Sequence, residues 1–314
     1  MQQYPICNIR TLSDTIREFT LAAPEWELAA LTPGSHFRWL MPDNIGTRSY
    51  SCVMLTIPTT TLTFAIQLNT ASASSQYLQS LKVGDSVRLE GPFNHFPQLS
   101  APEGGRDIVI AGGIGITPIT GVIVRLIAMG KHPECHYLIS SQAQAVYATE
   151  LATLAASYFY LHSTEEQKVC LSGLLGALQD HDRLHVCGPV RLLNAVLDYC
   201  DNHRFPRQHI AFELFTTPSI EADIAEAGYE VEAAESGIRL QVAAGQSLLD
   251  ALEAAGLEPL YDCRRGECGL CALKVLEGDV EHHDFIMTPQ EATTSRTIYP
   301  CVSRAKGSFL KLAL

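Results

Sequence analysis

The sequence predicts a multidomain chain: an antiparallel β-barrel, then an α/β unit built on a parallel sheet, then a small acidic α+β domain. Three observations carry that prediction. Short β-branched and aromatic runs separated by turn residues fill the first hundred positions. Apolar runs then alternate with helix-like segments from Asp107 to about residue 215. Near the end, Cys263, Cys268, Cys271 and Cys301 form a spaced set. The boundaries read as 1–102, 103–215 and 228–314, with a linker at 216–227 that is low in bulky apolar residues. At roughly 100 to 200 residues per domain, 314 residues accommodate two or three.

The elements follow in order. In the barrel, TIREFTLAA, HFRWLMP, RSYSCVMLT, TLTFAIQL and DSVRLEGPF each read as a strand bounded by Pro, Gly, Asn or Asp. In the middle, DIVIAGG, CHYLISS, YFYLHS and RLHVCGP read as buried parallel strands. Between them ITPITGVIVRLIAMG, VYATELATLAAS and VRLLNAVLDYCDNH read as crossover helices. The Tyr158-Phe159-Tyr160 run is expected to be a core strand. In the last part, residues 229–233 and 238–243 read as strands. SLLDALEAAG follows as a helix, with Ser247 at its N-cap and Gly256 just past its end.

Composition excludes several classes. With 46% hydrophobic and 18% charged residues the chain is an ordinary globular one. A net charge of −12 argues against nucleic acid as a partner, because phosphate binding draws on clustered Lys and Arg. No stretch approaches the ~18 to 20 apolar residues of a membrane span, and MQQYPICNIR lacks a secretory core, so a cytoplasmic protein is expected. The acidity is uneven: sixteen acids face eight bases from Glu221 onward, against eighteen and fourteen before it. Ten cysteines in such a chain point to metal or redox chemistry, although Cys7, Cys52, Cys135, Cys170 and Cys200 read as packing residues.

The strongest signal is Asp262-Cys263-Arg264-Arg265-Gly266-Glu267-Cys268-Gly269-Leu270-Cys271, with Cys301 after 29 intervening residues. CxxxxCxxC with a distant fourth cysteine is the plant-type [2Fe–2S] spacing. Four thiolates must converge on two irons while the loop wraps the sulfides, and Gly266 and Gly269 permit that approach. A structural zinc site is the competing reading, but it usually pairs two short CxxC hairpins. Over roughly 229–314 the chain resembles plant-type ferredoxins, which implies a β-grasp domain with Cys263, Cys268, Cys271 and Cys301 as ligands. Arg264 and Arg265 are candidate partner contacts.

In the middle, Asp107–Ala111 is followed by Gly112-Gly113-Ile114-Gly115-Ile116-Thr117-Pro118 and a helix, a turn that lets backbone approach a pyrophosphate. A second strand–turn–helix carries Cys187-Gly188-Pro189. Together these resemble the nicotinamide-nucleotide domain of the ferredoxin–NADP reductase superfamily. The resemblance implies Gly113, Gly115, Ile116 and Thr117 along the pyrophosphate, with Cys187, Gly188 and Pro189 near the nicotinamide. After the next strand, SSQAQAVY offers no Arg or Lys to a 2′-phosphate, so NADH is expected over NADPH.

A hydride donor gives two electrons and the cluster takes one, so a flavin is expected between them. Arg48-Ser49-Tyr50-Ser51 resembles the superfamily's RxYS flavin motif: Arg48 for a phosphate, Tyr50 against the isoalloxazine, Ser51 near N5. The domain order resembles the phthalate dioxygenase reductase family over essentially the whole chain. It is supported by Gly91-Pro92-Phe93-Asn94-His95-Phe96 and by Phe212-Glu213-Leu214-Phe215, which places Phe215 near the flavin. Similar reductases serve vanillate demethylase and carnitine monooxygenase. The resemblance implies FMN, a monomer, and an oxygenase partner with a Rieske centre. Where the family commonly has a Gly-rich, Arg-containing loop, this chain has Ala71-Ser72-Ala73-Ser74-Ser75-Gln76-Tyr77, so Ser74 and Ser75 are what it offers the flavin phosphate. An NADPH- or FAD-dependent reductase of the superfamily, and a non-catalytic redox sensor, are the alternatives.

Overall fold

The computed structural model describes residues 2–42, 44–69, 71–165, 169–176, 178–215 and 228–314. They fall into two compact units, Met1–Phe215 and Thr216–Leu314. The expected linker at 216–227 lies outside the described residues.

The first unit begins with β1 (Gln2–Ser13), β2 (Ile16–Leu21), α1 (Glu25–Ala30), β3 (His36–Leu40), β4 (Thr47–Ser51), β5 (Leu62–Gln67), α2 (Ala73–Ser80) and β6 (Ser86–Phe93). The strands form an antiparallel sheet in the order β4-β3-β6-β1-β2-β5. Its two edges meet where Cys52 bridges Phe64 and Val53 N donates to Thr63 O at 2.8 Å, so the sheet closes into a barrel. β5 is buried almost throughout because Leu62, Phe64 and Ile66 face the barrel interior while Ala65 on its other face packs into the core shared with the parallel sheet. Trp39, Phe37 and Phe64 fill the barrel interior, with the Trp39 and Phe64 rings edge to face at 5.3 Å.

The second half of this unit holds β7 (Asp107–Gly112), α3 (Ile116–Ala128), β8 (Glu134–Ile139), α4 (Ala148–Ala155), β9 (Phe159–Ser163), α5 (Leu171–Leu175), β10 (Arg183–Gly188), α6 (Val190–Asn202) and β11 (Ile210–Leu214). The parallel sheet runs β11-β10-β7-β8-β9, so the strand order reverses between β7 and β10. Ligands of such sheets bind in the crevice at that reversal. Tyr158 and Tyr160 depart from expectation. The strand forms, but both rings are exposed and stack on His132 and His136, since consecutive strand residues face opposite ways and β9 is an edge.

Barrel and parallel sheet share one apolar core: Ile16, Val53, Ala65 and Phe96 pack in the same cluster as Val109, Ile116 and Ile119. Helix α3 lies close to the barrel at Gly121, where a Cβ would stand 3.1 Å from Pro33 Cα and 3.2 Å from Met54 Cβ. Its Thr120 hydroxyl accepts from Met54 N at 3.0 Å.

The second unit contains β12 (Tyr229–Ala233), β13 (Ile238–Val242), α7 (Leu248–Ala254), β14 (Leu273–Glu277), β15 (Val280–Glu281), α8 (Pro289–Thr294), β16 (Thr297–Ile298), β17 (Arg304–Ala305) and β18 (Phe309–Ala313). The mixed sheet β13-β12-β18-β14-β16, with α7 packed on it, is a β-grasp arrangement. Ser247 caps α7 as expected, accepting from Asp250 N at 3.0 Å.

Candidate functional site

The β-grasp unit gathers the four cysteines. Cys271 and Cys301 are buried beside Leu249, Tyr299 and Val302, with their sulfurs 3.5 Å apart. Cys263 exchanges hydrogen bonds with Cys268 and Cys301, so the four sulfurs are linked in one set. As free thiols they share protons unequally: bonds from Cys268 and Cys301 hold Cys263 well below the usual thiol range, and Cys263 and Cys271 push Cys301 far above it. The loop has the shape a cluster needs. Arg264, Gly266 and Gly269 take positive φ, and a Cβ on Gly266 would meet Val302 Cγ2 at 2.6 Å. Arg265 N points at Cys263 Sγ at 3.3 Å, the kind of N–H···S bond that stabilises a charged cluster. Among the described residues no three His, Cys, Asp or Glu side chains surround a point for a single ion, and a two-iron core asks each iron for only two protein sulfurs.

Arg264 and Arg265 are both ion-paired within their own domain. Arg264 reaches Asp250 and Glu253 and lies over the Tyr261 ring at 4.2 Å, and Arg265 reaches Glu267 at 2.6 Å. They brace the loop.

In the first unit the reversal crevice brings the two glycine turns together. A Cβ on Gly115 would lie 2.3 Å from the Cys187 carbonyl oxygen, and one on Gly188 3.0 Å from Gly112 Cα. Those glycines let the two turns touch. Gly113 differs, with φ +54 and open space where a side chain would go. Ile116 and Thr117 bury their side chains, so at the crevice they present main chain, and the Thr117 hydroxyl donates to Ile114 O at 3.1 Å. Pro189 caps α6 beside Cys187 and Gly188, and Phe215 packs half-buried on the shared core.

On the barrel, Arg48 and Tyr50 share one side of β4 and Ser51 takes the other. Tyr50 packs edge to face on Trp39 at 5.7 Å, and burial pushes its hydroxyl up to about 12 against the pull of Arg48. Arg48 is exposed, its guanidinium resting on Thr47 O at 2.8 Å. Ser74 and Ser75 open α2. The Ser75 hydroxyl oxygen accepts from Asn69 N and from Ser72 Oγ, both at 2.8 Å, which fixes the helix start.

Two residues to which the sequence reading gave no role, His36 and Glu213, lie between these halves. Ser51 and its cross-strand neighbour His36 both face the Glu213 carboxylate, at 3.3 and 3.7 Å, and all three are buried. Glu213 is also the strand partner of Cys187, whose thiol donates to the Glu213 carbonyl at 3.4 Å. One acidic residue thus joins the barrel strand of the RSYS motif to the crevice strand. The signal was a charged residue inside the buried run IAFEL. Asn94 explains the GPFNHF segment: it donates to Thr32 Oγ1 and Pro33 O, pinning the turn that leads to His36. Among the scattered cysteines, Cys52, Cys135 and Cys200 are buried as expected, whereas Cys7 and Cys170 are exposed.

The comparisons agree with this architecture. Residues 231–306 match the family described as 2Fe-2S iron-sulfur cluster binding domain, and residues 3–97 match the oxidoreductase FAD-binding domain. The chain is 35% identical to the heme-dependent oxidative N-demethylase beta subunit of Ectopseudomonas mendocina, covering 98% of this chain and 97% of that one. It is 28% identical to the carnitine monooxygenase reductase subunit of Acinetobacter baumannii, over 98% and 96%. Among solved structures, an intact type IV self-sufficient cytochrome P450 monooxygenase matches all of this chain at 31% identity and a TM-score of 0.76, the chain spanning 41% of that protein. Phthalate dioxygenase reductase shares the fold over 100% of this chain and 98% of its own, at 23% identity and a TM-score of 0.64. No helix among the described residues is long and apolar enough to cross a membrane. With a flavin-binding barrel, a parallel-sheet domain and a [2Fe–2S] β-grasp domain in this order, the chain belongs to the phthalate dioxygenase reductase family of iron–sulfur flavoprotein oxidoreductases.

Proposed function

We propose that this oxidoreductase carries electrons from NADH, by way of FMN and the [2Fe–2S] cluster, to an oxygenase component with a Rieske centre. The observation that carries the reading is the Glu213 junction, where Ser51 of the flavin motif and Cys187 of the nucleotide crevice meet on one residue. When bound, the flavin would turn a two-electron hydride into single electrons of the kind a [2Fe–2S] cluster accepts. Residues 1–102, 103–215 and 228–314 divide these tasks, with 216–227 linking the last domain. Apart from that partner the protein is a monomer.

In this reading Gly113, Gly115, Ile116 and Thr117 receive the NADH pyrophosphate through main chain at the start of α3. Cys187, Gly188, Pro189 and Phe215 would border the nicotinamide, and Tyr50 and Ser51 would line the flavin. Ser51, turned to Glu213 and His36, would offer a buried polar path beside a bound flavin. Arg48, with Ser74 and Ser75 at the start of α2, takes the phosphate of FMN; these are few groups for the longer FAD. The turn after β8, SSQAQAVY, has no Arg or Lys for a 2′-phosphate, which favours NADH. Cys263, Cys268, Cys271 and Cys301 ligate the cluster.

A second reading of the partner has its own support. The 35% identical relative is the beta subunit of a heme-dependent N-demethylase, and the 31% identical structure is a cytochrome P450. A haem-bearing oxygenase is therefore the alternative acceptor.

The test is steady-state. NADH-dependent ferricyanide reduction by flavin-loaded protein should persist in Cys268→Ser, while cytochrome c reduction falls to background. Loss of both, or no NADH oxidation by the wild-type protein, sinks the reading. Extracted flavin identifies FMN or FAD, and comparison with NADPH decides the donor.

A further inference from the structure

Resting on that reading, we propose that the electron acceptor docks on the apolar side chains flanking the cluster loop, Leu260, Tyr261 and Leu270, with an apolar recess edged by Lys or Arg. Scattered exposed apolar residues are ordinary on a soluble domain. Here they are not scattered. Among the described residues of this unit the large exposed apolar side chains are Leu260, Tyr261, Leu270 and Leu276, and the first three lie within three residues of a cluster cysteine. Leu260 is 73% exposed and Leu270 50%, the latter between Cys268 and Cys271. Next to it, Gly269 abuts Ile286, which packs half-buried with Met287 on the Cys271–Cys301 core. Concentrated apolar exposure of this kind marks an interaction site.

The charge around the loop fixes the kind of partner. Segment 250–270 carries five acids against Arg264 and Arg265. Both guanidinium groups are engaged within the domain, Arg264 by Asp250, Glu253 and the Tyr261 ring, Arg265 by Glu267. Both cations are thus ion-paired within the domain, and of the five acids Asp250 and Glu258 are exposed. A basic rim on the acceptor complements this acid excess and steers the encounter. An apolar centre at Leu260 and Leu270 excludes water where one electron leaves the cluster for the acceptor.

Ferricytochrome c serves as the probe, a small basic protein whose iron(III) is reduced to iron(II) by one electron as the cluster is oxidised by one. Holoprotein reduced with dithionite, freed of excess reductant, is mixed with it, and the second-order rate constant is read from the haem absorbance. Leu260→Ser and Leu270→Thr should each lower that constant about threefold to tenfold, as expected for losing part of a buried leucine contact. The cluster spectrum should stay unchanged. Raising the salt should slow the wild type while the ratio between wild type and variant persists, because apolar contact is not screened. An unchanged constant in Leu260→Ser, which lies outside the ligand loop, overturns the proposal. A wild-type constant that does not fall with salt overturns the basic rim. The reaction needs no nicotinamide, so failure of the NADH reading is seen separately in the ferricyanide assay.

Discussion

The Tyr147 hydroxyl donates to Glu18 Oε2 at 2.6 Å, tying the turn ahead of α4 to barrel strand β2. Arg10 grips the same carboxylate from the other side, Nε at 2.6 Å and Nη2 at 2.9 Å. Tyr147 holds a left-handed φ of 61, uncommon for a bulky residue, and it is buried there. Burial first, then the bond to Glu18, push its hydroxyl far above the tyrosine range.

Tyr147→Phe keeps the ring and removes the donor. It should cost the first unit about 1–2 kcal/mol, because a buried acceptor loses one partner while Arg10 remains. A lower urea midpoint with an unchanged slope checks this.

Two neighbouring glycines should respond to very different degrees. At Gly115 a methyl group would strike the Cys187 carbonyl, so Gly115→Ala should force the β7 and β10 turns apart, destabilising the unit and raising the KM for NADH together. Gly113→Ala meets no atom and should cost only about 1 kcal/mol for its positive φ. Thermal unfolding alongside NADH kinetics separates the two.

Glu213 joins Ser51 to the strand of Cys187 without being exposed itself. Ser51→Ala should therefore leave flavin content unchanged and slow reduction by NADH roughly 10-fold or more, as misplacement at a reacting centre does. Stopped-flow bleaching of the flavin band measures it, and a rate equal to wild type refutes the role given to Ser51.

His185 gives a pH dependence. It is wholly buried on β10 with Nε2 3.2 Å from Asp107, and burial lowers its pKa despite that carboxylate. The folded protein therefore keeps it neutral, while the unfolded chain takes up a proton near pH ~6.5. Its contribution is full above that pH and is lost as the pH falls towards the depressed folded value. Urea midpoints should decline below pH ~6.5 in the wild type, and His185→Gln, though less stable overall, should show a flatter profile there.

The sequence revealed elements where pattern and chemistry coincide. The four cysteines, the glycine turn before α3 and the N-cap at Ser247 were all legible, because each rests on a local requirement. Strand β1 was not, since Pro5 in a run usually argues against a strand; here Pro5 pairs opposite Ser86 and its carbonyl accepts from Ala22 N. Strands β14 and β18 break their short apolar stretches with Lys or Glu, and only pairing with each other, with β16 and with β12 defines them. His36 and Glu213 stand 177 positions apart and meet only through the fold. The arginines of the cluster loop were visible, but the partners of Arg264 on α7 were not.

The core shared by barrel and parallel sheet bears on how such chains are assembled in evolution. Cutting the gene after residue 102 would leave Ile16, Val53, Ala65 and Phe96 without the partners they pack on, and the fragment would be prone to aggregate. The first 215 residues should therefore tolerate being moved or fused only as one piece.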